Sequence, residues 1–348
     1  MNISVGGIYL ETTSICNLRC TYCYHGNNIY NHDNSISIDV YKSLIEELVV
    51  LGVKDIELSG GEPLLHPYIL EMMKIAKENK LFVKLITNGT LINKYDINDL
   101  EYADEISISI DGINSNDHDR IRGQGSFVLL RNGIEAMRRW HILHKVVLCI
   151  TLNRTNYKKI NTFLVFAINL GVKGINFNLM HESPGNQNSF IHDQVLEQDD
   201  IIIIQDELND YKNKYNGCLN ISTIRNLGGD CPLLYNDKST MLRIDYNGNV
   251  YLCEGFCGQD FAIGNINNNK LIDILLGKKC VELLNFFRDR INIIDECKNC
   301  CLRNKFCLGG CVVDAYYRQA DCLCTDGCCE IRFKEITKKL LKFRYQES

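Results

Sequence analysis

The sequence predicts an α/β fold in which six strand–helix units form a parallel sheet that closes into a partial barrel, followed by a small cysteine-rich region. Over residues 1 to about 215, short runs rich in β-branched residues alternate with longer segments whose apolar residues recur at helical spacing. Beyond that point, turn dipeptides and closely spaced cysteines replace the alternation. We therefore expect one domain at residues 1–215 and a second at 216–348.

Each predicted strand is short and is followed by a helical or irregular segment. The six strands cover residues 7–13, 53–59, 81–87, 104–110, 145–152 and 172–179. Helical periodicity is clearest in residues 37–52, 66–80, 126–140 and 156–171, and a further helix is expected near 199–215. Because parallel neighbours need long crossover connections, this order indicates successive βαβ units.

The composition limits the class of protein. The chain has 348 residues, 45% of them hydrophobic, and a net charge of -5. It lacks an apolar run that approaches the roughly 20 residues needed to cross a bilayer. It also lacks an export signal and a block of Lys and Arg with interleaved aromatic residues. These features predict a cytoplasmic protein with no membrane or nucleic-acid partner. Of its 18 cysteines, all but Cys149 lie in residues 16–23 or after residue 217, and in a reducing compartment this density favours metal ligation over disulfides.

The first cysteine group follows the first strand directly. Cys16, Cys20 and Cys23 form a CxxxCxxC motif, and parallel barrels carry their active sites on loops at the C-terminal ends of strands. Three thiolates complete neither a tetrahedral zinc site nor a four-iron cluster. One iron of such a cluster would be open to the amino and carboxylate groups of an amino acid. Incidental thiols and an incomplete zinc site are the alternatives.

In its spacing, its position and the aromatic Tyr22 before the last cysteine, this segment resembles the radical S-adenosylmethionine (SAM) superfamily. The resemblance implies a partial (β/α)6 TIM-type barrel with a [4Fe-4S] cluster on the three cysteines and SAM at its open iron. It also implies further SAM-binding residues. These are the GGEP motif (Gly60, Gly61, Glu62 and Pro63) for the methionyl ammonium, Ser109 and Arg122 for the ribose and carboxylate, and Asn153 for the adenine or ribose. A turn-capping role for Asn153 is equally open, and Thr87-Asn88-Gly89 is interpreted as a plain turn.

The later cysteines resemble the SPASM extension, a small domain with a short β-hairpin and helices that binds two auxiliary [4Fe-4S] clusters. Gly248 and Cys253 supply its GxxxxC element. By this resemblance, the first auxiliary cluster has Cys231, Cys253, Cys311 and, as a candidate fourth ligand, Cys257. The second has Cys297, Cys300, Cys307 and Cys329. Cys301 and Cys328 compete for two of these places, and a zinc ribbon is the alternative kind of site.

The resemblance implies that SAM is cleaved reductively to a 5′-deoxyadenosyl radical. Our first hypothesis is a maturase that forms a thioether or carbon–carbon crosslink in a ribosomally synthesised peptide. The alternatives are anaerobic sulfatase maturation, with Glu254 as an acid or base, modification of a tetrapyrrole or another cofactor, and a non-enzymatic iron-sulfur or zinc protein. The expected partners are a precursor peptide or protein and a flavodoxin- or ferredoxin-type electron donor. Because the first strand begins within about eight residues of Met1, recognition of a leader would need either a separate leader-binding protein or a different surface of the chain.

Overall fold

The structure, a computed structural model, describes residues 3–26, 34–180, 189–222, 231–235 and 238–346. All six predicted strands are present close to their predicted bounds. They are β1 (Ser4–Thr13), β2 (Asp55–Gly60), β3 (Phe82–Thr87), β4 (Glu105–Ser109), β5 (Val146–Leu152) and β6 (Gly174–Leu179). Short strands missed by the sequence patterns follow, namely β7 (Asn220–Ser222), β8 (Ser239–Ile244), β9 (Asn249–Tyr251) and β10 (Gly264–Asn265).

The helices pack between and after these strands. In the first part of the chain they are α1 (Ile38–Leu51), α2 (Ile69–Glu78), α3 (Ile97–Leu100), α4 (Ser115–Arg122), α5 (Ser126–Arg139), α6 (Ile160–Leu170), α7 (Ser189–Gln194) and α8 (Gln198–Lys214). The cysteine-rich part contains α9 (Leu271–Leu276), α10 (Lys278–Asp289), α11 (Val312–Gln319) and α12 (Cys329–Gln346). Among the described residues, no helix is both long and apolar enough to cross a membrane.

The strands form a single sheet in the order β10-β9-β8-β1-β2-β3-β4-β5-β6-β7. Neighbours from β8 through β1 to β7 are parallel, whereas β9 and β10 form an antiparallel edge. The predicted α/β class with a parallel sheet core is therefore confirmed. The sheet continues across residue 216, because β7 extends one edge and β8 pairs with β1. The domain boundary at that residue stays a prediction.

The two faces of the sheet differ in polarity. In β1, Ile8 and Leu10 are fully buried apolar side chains, and strand alternation places Tyr9 and Glu11 on the opposite face. Tyr9 is in register with Glu57, which is in register with Lys84. The Lys84 ammonium lies 3.0 Å from the Glu57 carboxylate. The apolar face therefore supplies the core, and the polar face is available for a site.

A buried ion pair joins the cysteine-rich part to the barrel. Glu11 on β1 is 0% exposed and Arg243 on β8 is 4% exposed, with Arg243 Nη2 2.7 Å from Glu11 Oε1. Arg243 Nη1 also donates to the Phe256 carbonyl at 2.6 Å, and the Tyr24 hydroxyl donates to Glu11 at 2.8 Å. The Glu11–Arg243 pair therefore holds both the loop after β1, through Tyr24, and the segment after β9, through Phe256.

Arg243→Met should lower the free energy of unfolding by about 3–5 kcal/mol, because it leaves the Glu11 carboxylate buried without its guanidinium. The matched control is Lys338→Met, since Lys338 and Asp206 form an exposed pair between α12 and α8. We expect the control to cost about 0–1 kcal/mol. Anaerobic denaturant unfolding measures both. Equal, small losses of unfolding free energy in the two variants would show that the buried pair does not stabilise the contact between the cysteine-rich part and the barrel.

Candidate functional site

The first three cysteines lie together in the loop that follows β1. Burial raises the pKa of Cys16 to about 12, and the negative charges of Glu62, Cys20 and Cys23 add to the shift. Burial likewise raises the pKa of Cys20 to about 11, whereas the Arg122 cation opposes it. Such thiols become thiolates only beside a strong positive charge, which bound iron would supply.

The cysteine groups suit iron-sulfur clusters better than a single ion. Within the described ranges, no three His, Cys, Asp or Glu side chains converge as one metal ion requires. In a [4Fe-4S] cluster, each cysteine sulfur binds a different iron, so the four ligands do not meet at one point. The donor set, three thiols without a fourth protein ligand in the first loop, therefore fits the predicted cluster.

The GGEP motif packs against the cysteine loop. Gly60 has φ +135°, and a Cβ there would lie 2.5 Å from the Thr13 carbonyl oxygen. The Gly61 amide donates to this oxygen at 2.8 Å, and the Glu62 amide donates to the Ile15 carbonyl at 2.7 Å. The glycines are thus needed for close approach to the chain's own backbone. Pro63 begins a short 3-10 turn, Pro63–Leu65.

Glu62 is fully buried, with donors already directed at its carboxylate. It accepts from the Thr87 hydroxyl at 2.6 Å, the Asn88 amide at 2.8 Å and the Leu64 amide at 3.2 Å. Burial raises the pKa of Glu62 to about 7 even though these hydrogen bonds oppose the shift. A bound ammonium would favour the ionised form. Thr87 and Asn88, interpreted from the sequence as a plain turn, therefore hold the Glu62 carboxylate in place.

Arg122, near the end of α4, is held by an internal partner. Its Nε donates to Asp111 Oδ2 at 2.6 Å, and the Tyr22 hydroxyl donates to the same oxygen at 2.7 Å. Asp111, which is 1% exposed, was missed as a site residue, although it stands in the SxDG segment together with Ser109. Through Asp111, these contacts place Arg122 beside Tyr22 of the cysteine loop. Their contact with SAM, like that of Ser109 at the end of β4, stays a prediction.

Asn153 forms the turn after β5. Its Oδ1 accepts from the Thr155 amide at 2.9 Å and from the Thr155 hydroxyl at 2.5 Å, and its Nδ2 donates to the Thr151 carbonyl at 3.1 Å. The capping role left open by the sequence is therefore present in the structure. A contact with adenine or ribose stays a prediction.

Three of the predicted ligands of the first auxiliary cluster lie together. Burial raises the pKa of Cys231 to about 11, and the charge of Cys253 is the next cause. Burial also raises the pKa of Cys311, with Asp314, Cys253 and Cys231 as further contributors. The structure brings these three thiols into one neighbourhood, which suits a shared cluster. Their ligand roles stay predictions.

Cys257, the candidate fourth ligand, contacts an aromatic side chain. Its sulfur lies 3.2 Å from the Tyr317 hydroxyl, which donates to the Gly255 carbonyl at 2.5 Å. Glu254, between Cys253 and Gly255, is half-buried. A ligand role for Cys257 therefore stays a prediction.

The second predicted ligand set also forms one neighbourhood. Burial is the largest cause that raises the pKa of Cys297 to about 11, and the negative charges of Cys307, Cys329 and Cys300 raise this pKa further. These are the members that the sequence resemblance implied. Cys301 is exposed and Cys328 is 2% exposed. That Cys300 is the ligand instead of Cys301, and Cys329 instead of Cys328, stays a prediction.

A cleft of about 810 Å³ opens beside Tyr317. The loop after β5, the segment joining α7 to α8, and helices α11 and α12 form its walls. Its charged lining is mainly acidic. The ionisable residues along it are Arg154, His192, Asp193, Glu197, Asp199, Asp314, Tyr317 and Glu330.

Comparisons with known families agree with this arrangement. Residues 10–167 match the Radical SAM superfamily, and residues 231–301 match SPASM, an iron-sulfur cluster-binding domain. A radical SAM domain binds a [4Fe-4S] cluster and SAM, and a SPASM domain binds auxiliary iron-sulfur clusters. The predictions of both domains and of their cofactors are confirmed.

Curated relatives differ in activity. The chain is 32% identical over 164 residues to AdoMet-dependent heme synthase of Methanosarcina barkeri (strain Fusaro / DSM 804), covering 46% of each chain. It is 29% identical over 186 residues to the antilisterial bacteriocin subtilosin biosynthesis protein AlbA of Bacillus subtilis (strain 168), covering 52% of this chain and 41% of AlbA. The chain spans about half the length of the curated relatives it matches.

Solved structures show the same fold at low identity. Native anSMEcpe with bound AdoMet superposes with a TM-score of 0.74 at 20% identity, covering 95% of this chain and 96% of that one. Streptococcus suis SuiB bound to precursor peptide SuiA gives a TM-score of 0.75 at 17% identity, covering 94% of this chain and 75% of SuiB. The fold therefore extends over nearly the entire chain.

Thr87→Val should weaken SAM binding about tenfold, since it removes a hydroxyl donor from the buried Glu62 carboxylate. The matched control is Thr240→Val, because Thr240 is equally buried and donates to the Leu252 carbonyl at 3.0 Å. Equilibrium dialysis of anaerobic, cluster-loaded protein measures both dissociation constants. An equal loss in the two variants would argue against Glu62 as a SAM-binding residue.

Cys20→Ala should lose the first cluster, and iron and sulfide content should fall by one cluster per chain. Cys149→Ala is the control, because Cys149 lies in β5 outside the three cysteine groups. We expect this control to keep the full iron content. Anaerobic reconstitution followed by iron and sulfide analysis provides the measurement. Unchanged iron in Cys20→Ala would remove Cys20 from the ligand set.

Proposed function

Because the chain belongs to the radical SAM superfamily and carries a SPASM domain, we propose that it is a peptide maturase that crosslinks side chains of a ribosomally synthesised peptide. The crosslink is a thioether or a carbon–carbon bond. When bound, the first cluster and SAM supply the 5′-deoxyadenosyl radical that abstracts a substrate hydrogen, chemistry beyond the reach of side chains. Members of this family are oxidoreductase-type enzymes.

The residues around the cysteine loop have distinct tasks in this proposal. Cys16, Cys20 and Cys23 hold the cluster. Glu62, kept in place by the Thr87 hydroxyl and the Asn88 amide, binds the methionyl ammonium of SAM. Tyr22, Asp111 and Arg122 tie helix α4 to the cysteine loop. Because these contacts fix the side chains around the cysteine loop, SAM is oriented before the substrate arrives.

The acidic cleft is the observation that carries the peptide proposal. At about 810 Å³ it is large enough for several residues of an extended peptide, and it reaches Tyr317, which contacts Cys257. Its carboxylates favour a segment that contains Lys or Arg. The fold shared with SuiB bound to its precursor peptide, and the sequence match to AlbA, support the same substrate class.

Two other functions have an observation in their favour. Formylglycine generation is favoured by Glu254, a half-buried acid directly after Cys253, and by the fold shared with anSMEcpe. Tetrapyrrole modification is favoured by the 32% identity to heme synthase. In a protein that only binds iron-sulfur or zinc, the buried Glu62 would have only its structural role of capping the Pro63–Leu65 turn.

The proposal includes a cytoplasmic setting and two kinds of partner. A reducing compartment keeps the cysteine ligands available for iron. Reductive cleavage of SAM consumes an electron, so a low-potential donor of flavodoxin or ferredoxin type is required. A separate leader-binding protein would present the precursor peptide to the acidic cleft.

The deciding experiment offers three substrates to anaerobic, cluster-reconstituted protein with SAM and dithionite. They are a cysteine-containing precursor peptide with basic residues, a sulfatase-type peptide with a target cysteine, and an iron tetrapyrrole. We expect 5′-deoxyadenosine and a peptide that has lost two hydrogen atoms, from the first substrate only. Mass spectrometry detects both products.

Variants separate the alternatives. Cys20→Ala should give neither product, whereas Cys218→Ala, which removes an exposed thiol, should behave as wild type. Formylglycine from the sulfatase-type peptide, reduced about a hundredfold in Glu254→Gln, would replace the crosslinking proposal with sulfatase maturation. Product from the tetrapyrrole alone would replace it with cofactor modification.

A further inference from the structure

Arg290 is a fully buried cation in the cysteine-rich part of the chain. It follows α10, and its side chain is 0% exposed. Its guanidinium donates only to backbone carbonyls among the described residues. These are Cys322 at 2.7 Å, Cys324 at 2.6 Å, Gly309 at 3.1 Å and Gly310 at 3.0 Å.

In the part of the chain that the structure describes, no carboxylate forms an ion pair with Arg290. The other buried arginines of this part have a carboxylate partner: Arg332 pairs with Asp326 through both carboxylate oxygens, and Arg243 pairs with Glu11. A buried guanidinium without a nearby negative charge is strongly unfavourable. Carbonyl dipoles offset part of this cost, and a further source of negative charge is expected close by.

The carbonyls that Arg290 binds lie next to predicted cluster ligands. Gly309 and Gly310 are in the loop between Cys307 and Cys311, both with positive φ. By the ligand sets proposed above, Cys307 belongs to the second auxiliary cluster and Cys311 to the first. One guanidinium therefore shapes the loop that supplies a ligand to each cluster.

We propose that Arg290 is a shared counter-charge for the two auxiliary iron-sulfur clusters, a positioning residue that shapes the Cys307–Cys311 loop and raises both reduction potentials. Each added electron increases the negative charge of a cluster, so a buried cation nearby favours the reduced form. The inference rests on the proposed ligand sets but not on the identity of the substrate. The proposed effect on the two reduction potentials does not depend on which bond the enzyme forms.

The test reads the auxiliary clusters alone. In full-length protein with Cys16, Cys20 and Cys23 replaced by Ala, iron content and EPR-monitored redox titrations are measured for Arg290, Arg290→Lys and Arg290→Met. Met has similar length but no charge, whereas Lys keeps the charge and loses the planar fork. We expect both midpoint potentials to fall in Arg290→Met and to stay near those of the background in Arg290→Lys.

The control removes an exposed cation from the same part of the chain. Lys338→Met changes the net charge by the same amount as Arg290→Met, but the Lys338 ammonium pairs with Asp206 at the surface, so both potentials should be retained. Loss of the clusters from Arg290→Met but not from Arg290→Lys would also support the counter-charge, since charge alone separates the variants.

Several outcomes would overturn the proposal. They are unchanged potentials in Arg290→Met with full iron content, a shift confined to one cluster, and equal shifts or equal cluster loss in the Lys and Met variants. A fall in the Lys338→Met control as large as in Arg290→Met would also overturn it. A background protein without iron would refute the ligand sets themselves. Since neither SAM nor substrate is present, none of these outcomes bears on the peptide proposal.

Discussion

The docking of the GGEP motif on the loop after β1 is the contact on which the rest of the site depends. Two backbone amides, of Gly61 and Glu62, donate to carbonyls of the cysteine loop, Thr13 and Ile15. Side chains at Gly60 and Gly61 would collide with this backbone. The loop carrying the first three cysteines is therefore supported by a neighbouring strand end, and it does not depend on its own sequence alone for shape.

From this contact the site extends along the sheet edge. Glu62 reaches the end of β3 through Thr87 and Asn88, and Tyr22 in the cysteine loop reaches the end of β4 through Asp111. Parallel strands bring all these ends to one edge, so residues far apart in sequence become neighbours. The buried Glu62 carboxylate then acts electrostatically on Cys16, and the buried Arg122 guanidinium acts on Cys20.

The cysteine-rich part is continuous with the barrel in its packing. Strand β8 pairs with β1, and Arg243 contacts both Glu11 on β1 and the Phe256 carbonyl between Cys253 and Cys257. The predicted auxiliary ligands are thus held by the same core that holds the first cysteine loop.

The sequence by itself determined the strand–helix order, the six main strands and the grouping of cysteines, because periodicity and motif spacing are local properties. Strand β7 was missed because three residues carry too little pattern, and β8 because its pairing with β1 spans more than 200 positions of the chain. The same limit applies to the site. Only the tertiary structure showed that Thr87 and Asn88 hold the Glu62 carboxylate, that Asp111 holds Arg122, and that Arg290 binds carbonyls of the Cys307–Cys311 loop. Each of these depends on contacts between segments that are remote in sequence.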